Sequence, residues 1–218
     1  MIFVLILFIV IFISVNPGFF IKENFNCNNI KIYYKDKSFD VNNLCENIES
    51  LCLKNSLCNF DFKIFITPSQ SFFYIFSFFS KNFVWINPFK GYAVIYPIDL
   101  EKKYFLNTDI NYREKINEVL IRWFILNKKT FIEYITVSKW KIIGYAKYIT
   151  GDIQEFLEDE LCIDDFKKNK EKYKEFEYMM IVKYILAKKN YNDISDFFVD
   201  NISYEHYFSE MKNFICRK

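Results

Sequence analysis

Trp140-Lys-Ile-Ile-Gly144-Tyr-Ala146-Lys-Tyr148-Ile-Thr-Gly151 is the stretch on which the reading of this chain turns. Its first eleven residues hold no proline and read as a helix, Trp140–Thr150, which Gly151 ends as a C-terminal cap. A glycine inside a helix costs about 1 kcal/mol relative to alanine, so Gly144 points to close packing or to function.

Working outward, Glu114–Asn127 upstream is apolar on nearly all sides, the pattern of a buried helix. Downstream, Lys170–Lys189 reads as a long helix with charges on its outer face and Asn192–Val199 as a short one. Ser203 can cap a last helix, on which Tyr204, Tyr207, Phe208, Met211 and Ile215 form one stripe. The N-terminal half has a different character. Lys31–Tyr34, Phe62–Thr67, Trp85–Ile86 and Gly91–Tyr96 read as strands, with Pro68 and Pro97 as stops. Asp40 can cap a helix over Val41–Lys54, and an aromatic helix runs from about Ser69 to Ser80. Strands with helices followed by helices alone predict an α+β fold: a small mixed sheet over about residues 30–110, then a helical part over about 111–218.

The chemistry-bearing motifs are few. There is no GxSxG, no phosphate-binding glycine loop and no GxGxxG. The single histidine, His206, falls on the polar face of the last helix beside Glu205, Ser209 and Glu210, with no local nucleophile partner. Asp152, Glu155, Glu158, Asp159 and Glu160 lack the ligand spacing and central glycine of a calcium loop and read as a solvated face, as does Lys167–Lys174. Asn201-Ile-Ser203 is a glycosylation sequon, meaningful in a secreted eukaryotic protein. A net charge of +2 points to no nucleic-acid partner.

The opening stretch resembles the W-L-x-E-G-x-A-x-Y-x-x-G motif of gluzincin metallopeptidases: Trp140, Gly144, Ala146, Tyr148 and Gly151 agree. In that family a preceding buried helix carries HExxH, whose histidines hold zinc and whose glutamate is the general base, and the glutamate of the second motif is the third ligand. The resemblance implies a zincin-like fold over about residues 30–215, with Glu114–Asn127 as the first helix and Gly91–Tyr96 as the strand bordering the substrate groove. It also implies that the metal site is gone. The third-ligand position is Ile143, and Arg122 and Trp123 occupy the first histidine and the catalytic glutamate; a neighbouring register puts Asn117 and Glu118 there, again with no metal site. Arg122, Trp123 and Ile143 are thus vestigial positions, and no catalytic residue, metal ligand or cofactor is expected.

Met1–Ile13 is an unbroken apolar run, and no charge precedes Lys22. The run has the length of a signal-peptide apolar region; counted through Ile21 it makes a short signal-anchor. No small-x-small cleavage site stands near Ser14, and Lys22, Lys31, Lys35 and Lys37 all follow the segment, which conflicts with simple secretion. Residues 1–21 are therefore a signal peptide or signal-anchor and 22–218 a single domain. The six cysteines permit disulfides in fifteen connectivities. Cys45 and Cys52, two helical turns apart, cannot bond each other; each is either a small core residue or half of another pair. The combined expectation is an exported or membrane-tethered, catalytically inactive metallopeptidase-like protein with a protein or peptide partner. The alternative is a disulfide-stabilised interaction protein unrelated to peptidases.

Overall fold

A computed structural model describes residues 16–35, 40–55, 60–77, 80, 82–87, 90–151, 161–162 and 170–216. The run Met1–Ile13 and the acidic residues Asp152, Glu155, Glu158, Asp159 and Glu160 lie outside them, as does the first part of Lys167–Lys174. The chain is α+β, and it divides into two compact units between Trp123 and Phe124.

The first unit is built on a five-stranded sheet of β1 (Glu23–Cys27), β2 (Ile30–Tyr34), β3 (Phe62–Ile66), β4 (Val84–Asn87) and β5 (Tyr92–Ile95) in the order β1-β2-β3-β5-β4. The three inner strands are parallel to one another; the two edge strands run antiparallel to their neighbours. A hairpin joins β1 to β2 through Asn28, whose φ of 51° lies in the left-handed region that asparagine tolerates. Helix α1 (Val41–Asn55) lies between β2 and β3, and the Asp40 carboxylate accepts the Asn43 N–H at 3.1 Å. Helix α2 (Gln70–Phe76) follows β3, capped by Ser69, which accepts the Phe72 N–H. A small hairpin, β6 (Ile98–Asp99) and β7 (Tyr104–Phe105), leads into α3 (Tyr112–Lys128), whose end crosses into the second unit.

Strand register sorts the side chains. Ile32, Ile64 and Ala93 share one face and are fully buried. Phe62 on that face stacks on Trp123 of α3 with ring centres 4.8 Å apart. The other face carries Lys31, Tyr33, Lys63, Phe65 and Tyr92. The expectation that Gly91–Tyr96 borders a groove is corrected here: β5 lies inside the sheet between β3 and β4, and β4 is the edge. The reason is legible in β5 itself, whose four residues Tyr-Ala-Val-Ile are all buried, as an inner parallel strand requires.

The second unit is helical: α4 (Phe131–Thr136), α5 (Lys139–Thr150), α6 (Lys170–Lys188), α7 (Ile194–Val199) and α8 (Tyr204–Ile215). A capping box starts α4: the Thr130 hydroxyl accepts the Glu133 N–H, and Glu133 accepts from the Thr130 N–H at 2.8 Å. Gly151 ends α5 at φ 72°. Helix α5 packs on α6 through Gly144, and Lys147 reaches Glu175 at 3.1 Å across the same contact.

Each unit carries a disulfide. Cys27–Cys45 ties the end of β1 to α1, so the core-residue alternative for Cys45 does not hold, and Cys162–Cys216 closes a span of 54 residues in the helical unit. Cys52 is disulfide-bonded as well. Among the described residues no helix is long and apolar enough to cross a membrane.

Candidate functional site

The positions singled out by the metallopeptidase resemblance fall in both units. In the first, Arg122 and Trp123 stand on α3. Besides stacking on Phe62, the Trp123 ring closes over the β4–β5 turn, where a Cβ placed on Gly91 would meet its Cη2 at 2.9 Å. Gly91 has φ 63°, so the turn needs glycine twice over: for its backbone and for the indole above it. Glu118, the alternative base, accepts a hydrogen bond from Lys115 at 2.6 Å. These side chains do not fit a zinc ion. A guanidinium offers no lone pair, an indole N–H only donates, and an aliphatic chain such as that of Ile143 offers nothing. One cluster among the described residues brings three metal-type groups within 4.8 Å, Cys27, Cys45 and Glu49. Its two sulfurs are bonded to each other, and Glu49 accepts from the Asn28 amide at 2.8 Å. His206 is exposed on α8, beside the Tyr207 ring.

In the second unit each motif residue on α5 has a packing role, apart from Tyr148, which is exposed. Trp140 meets the rings of Phe197 and Tyr204 edge-on at 6.4 and 5.8 Å. Ile143 and Ala146 are buried. Gly144 lets the α6 backbone approach: an added Cβ would stand 2.5 Å from the Tyr178 carbonyl oxygen.

The residue between Trp140 and Ile142 is the one that sequence reasoning passed over. Lys141 is 2% exposed. Its ammonium donates to the carbonyls of Phe197, Phe198 and Asp200, which close the C-terminal end of α7, so its three protons have three acceptors. Burial, partly offset by the Asp200 carboxylate, pulls its pKa down to about 8. Asp200 in turn accepts from Lys189 at 2.8 Å and from the Tyr191 hydroxyl at 2.9 Å. The Lys189 bond holds Asp200 below the usual carboxylate range, while burial pushes Tyr191 up to about 12. A polar cleft of about 250 Å³ opens beside Lys141, lined also by Ser138, Asp200 and Asn201. With the three protons of its ammonium donated to backbone carbonyls, Lys141 caps the C-terminal end of α7.

A larger cleft, about 360 Å³, lies within the first unit on the sheet face opposite Trp123. Tyr33 and Phe65 are register partners and stack at 4.4 Å; Tyr92 meets Phe65 edge-on at 5.4 Å. The helical turn Pro17–Phe19, with Asn16 before it, forms one wall, and Lys63 and Lys90 also line the cleft. Gly18 packs over Phe65, where a Cβ would stand at 3.8 Å. The signal for this surface is the alternation of polar and aromatic residues in Lys31-Ile-Tyr33 and Lys63-Ile-Phe65, and it has meaning only once the parallel register places the two strands side by side.

No protein-family profile, curated protein or solved structure matches this chain.

Proposed function

We propose that the chain is an exported or membrane-tethered, non-catalytic protein with a binding or structural role. The observation that carries this is the oxidised cysteine set. Cys27–Cys45, Cys162–Cys216 and the bonded Cys52 belong to a disulfide-permissive compartment, and they follow an N-terminal apolar run of signal-like length. Counting free thiols on the purified chain, denatured and without reductant, tests it. Cys27, Cys45, Cys52, Cys162 and Cys216 should not react; a fully reduced chain from its native compartment removes the basis of the reading.

Within it, the scaffold is a metallopeptidase-like one that has lost its metal site. The support is the agreement of Trp140, Gly144, Ala146, Tyr148 and Gly151 with the family motif, together with side chains at Arg122, Trp123 and Ile143 that cannot ligate zinc. Stoichiometric zinc in the purified protein would sink this part. A second reading, a disulfide-stabilised interaction protein unrelated to peptidases, is favoured by a specific observation: Trp140, Gly144, Ala146 and Gly151 are each accounted for by packing or capping inside the helical unit, with no ancestral site required.

A further inference from the structure

The cleft on this sheet face has a one-sided charge at its rim, where Lys31, Tyr33 and Lys63 keep exposure while Phe65 and Tyr92 are buried. Every register pair on that face joins neutral or basic residues: Lys31 stands opposite Asn26 and Lys63, and Lys63 opposite Tyr92. No Asp or Glu occupies a paired position there, and neither Lys31 nor Lys63 makes an ion pair with a carboxylate among the described residues. Lys63 and Lys90 are exposed, and Lys31 lies half-buried over the Tyr33 ring at 5.4 Å. The wall of the same cleft carries an exposed aromatic, Phe19, at 62% exposure, and Phe20 follows it at 42%. That wall begins at Asn16, three residues after the apolar run Met1–Ile13. Aromatic rings and lysines grouped beside an apolar segment are what the boundary between hydrocarbon and headgroups selects. The rings settle at the headgroup level and the ammonium groups meet lipid phosphate.

We propose that the cleft side of the sheet-bearing unit faces the membrane that Met1–Ile13 enters, and that the cleft between Asn16–Phe19 and Lys63 receives the phosphate-bearing headgroup of an anionic phospholipid. The rings of Phe19 and Tyr33 contact the glycerol and upper acyl region, while Lys31, Lys63 and Lys90 neutralise the headgroup. This rests on the tethered form of the proposed function. It adds an orientation of the sheet-bearing unit on the bilayer and a class of ligand.

The test uses the full chain reconstituted into vesicles of phosphatidylcholine alone, or with about 30% phosphatidylserine, at a salt concentration of about 0.1 M where surface charges still act. Acylation rates of Lys31 and Lys63 are read by mass spectrometry against Lys102, which is exposed and lies off this face. The expected result is protection of Lys31 and Lys63 by roughly tenfold in the anionic vesicles only, reversed by about 1 M salt and weakened in Lys63→Glu, whose exposed side chain leaves the core untouched. Equal rates in the two kinds of vesicle overturn the proposal. Equal protection by inorganic phosphate in phosphatidylcholine vesicles also overturns it, assigning the cleft to a free anion. Alkaline extraction separates the two readings. A chain released by carbonate refutes the tether, and lysine protection still decides the cleft by itself.

Discussion

Gly144→Ala isolates one contact of the helical unit and sets two known effects against each other. Alanine in place of glycine inside an exposed helix stabilises by about 1 kcal/mol. Here the added methyl would stand 2.5 Å from the Tyr178 carbonyl oxygen, 2.7 Å from its carbon and 2.8 Å from a Val182 methyl. Two of those three atoms are backbone, so no rotamer change removes them, and Val182, branched at Cβ on a helix, has one favoured rotamer. The helices Lys139–Thr150 and Lys170–Lys188 must instead separate by several tenths of an ångström along their contact. Overpacking of that kind costs roughly 1–3 kcal/mol, and with immovable backbone the upper end applies. Subtracting the propensity gain leaves a net loss of about 2 kcal/mol. For a chain of this size that corresponds to a fall in Tm of roughly 4–8 °C. Thermal unfolding followed by helical circular dichroism measures it, with Gly144→Val expected to fall further. A Tm for Gly144→Ala equal to or above that of the wild type refutes the reasoning, because propensity would then outweigh contact and the two helices could not approach as described.

Three further outcomes follow from the same geometry. Gly91→Ala places a methyl 2.9 Å from the Trp123 ring on a backbone at φ 63°, and should lower stability by about 2 kcal/mol in urea unfolding; a neutral result would mean that the indole does not close this turn. Cys216→Ser opens a span of 54 residues and should cost about 4 kcal/mol, read as a lower urea midpoint, whereas an unchanged midpoint excludes the Cys162 pairing as a stabilising bond. Stability should also depend on pH through Lys141. Its folded-state pKa of about 8 lies below the unfolded value near 10.4, so between those limits the unfolded chain binds more protons and stability rises with pH. Tyr145 and Tyr191, raised to about 12, act with the opposite sign above about pH 10, where the folded state retains protons that the unfolded chain has lost. The expected profile climbs from about pH 8 to a maximum near 10 and then falls. Lys141→Met should flatten the climb, and a climb that persists in that variant rules out Lys141 as its source.

Elements whose evidence was local could be read from the sequence. Gly151 announces the end of α5 because an αL cap is a property of one residue, and Asp40 and Ser203 announce helix starts for the same reason; Ser69, read as the first residue of its helix, is its cap. Strand β1 escaped because Glu-Asn-Phe-Asn-Cys is too polar for a propensity argument; its half-buried alternation becomes a signal only beside β2. The resemblance to metallopeptidases puts β5 at a groove border, and its run of four apolar residues does not say how many neighbours it has. The candidate sites were less legible. Lysine is almost never fully buried, so nothing in Trp-Lys-Ile-Ile marks Lys141 as a helix cap until α7 brings three carbonyls to it. The disulfide partners, likewise, are set by tertiary contact and not by spacing.

The two disulfides whose partners are both described share a simple order. Cys27 and Cys45 are the first two cysteines of the chain, and Cys162 and Cys216 the last two. Neither bond encloses the other, and each closes inside one compact unit. Along the sequence, the first cysteine to follow Cys27 is therefore its own partner, Cys45. Pairing a thiol with the next one downstream forms this bond without rearrangement, which shortens the interval in which a thiolate could attack the wrong sulfur.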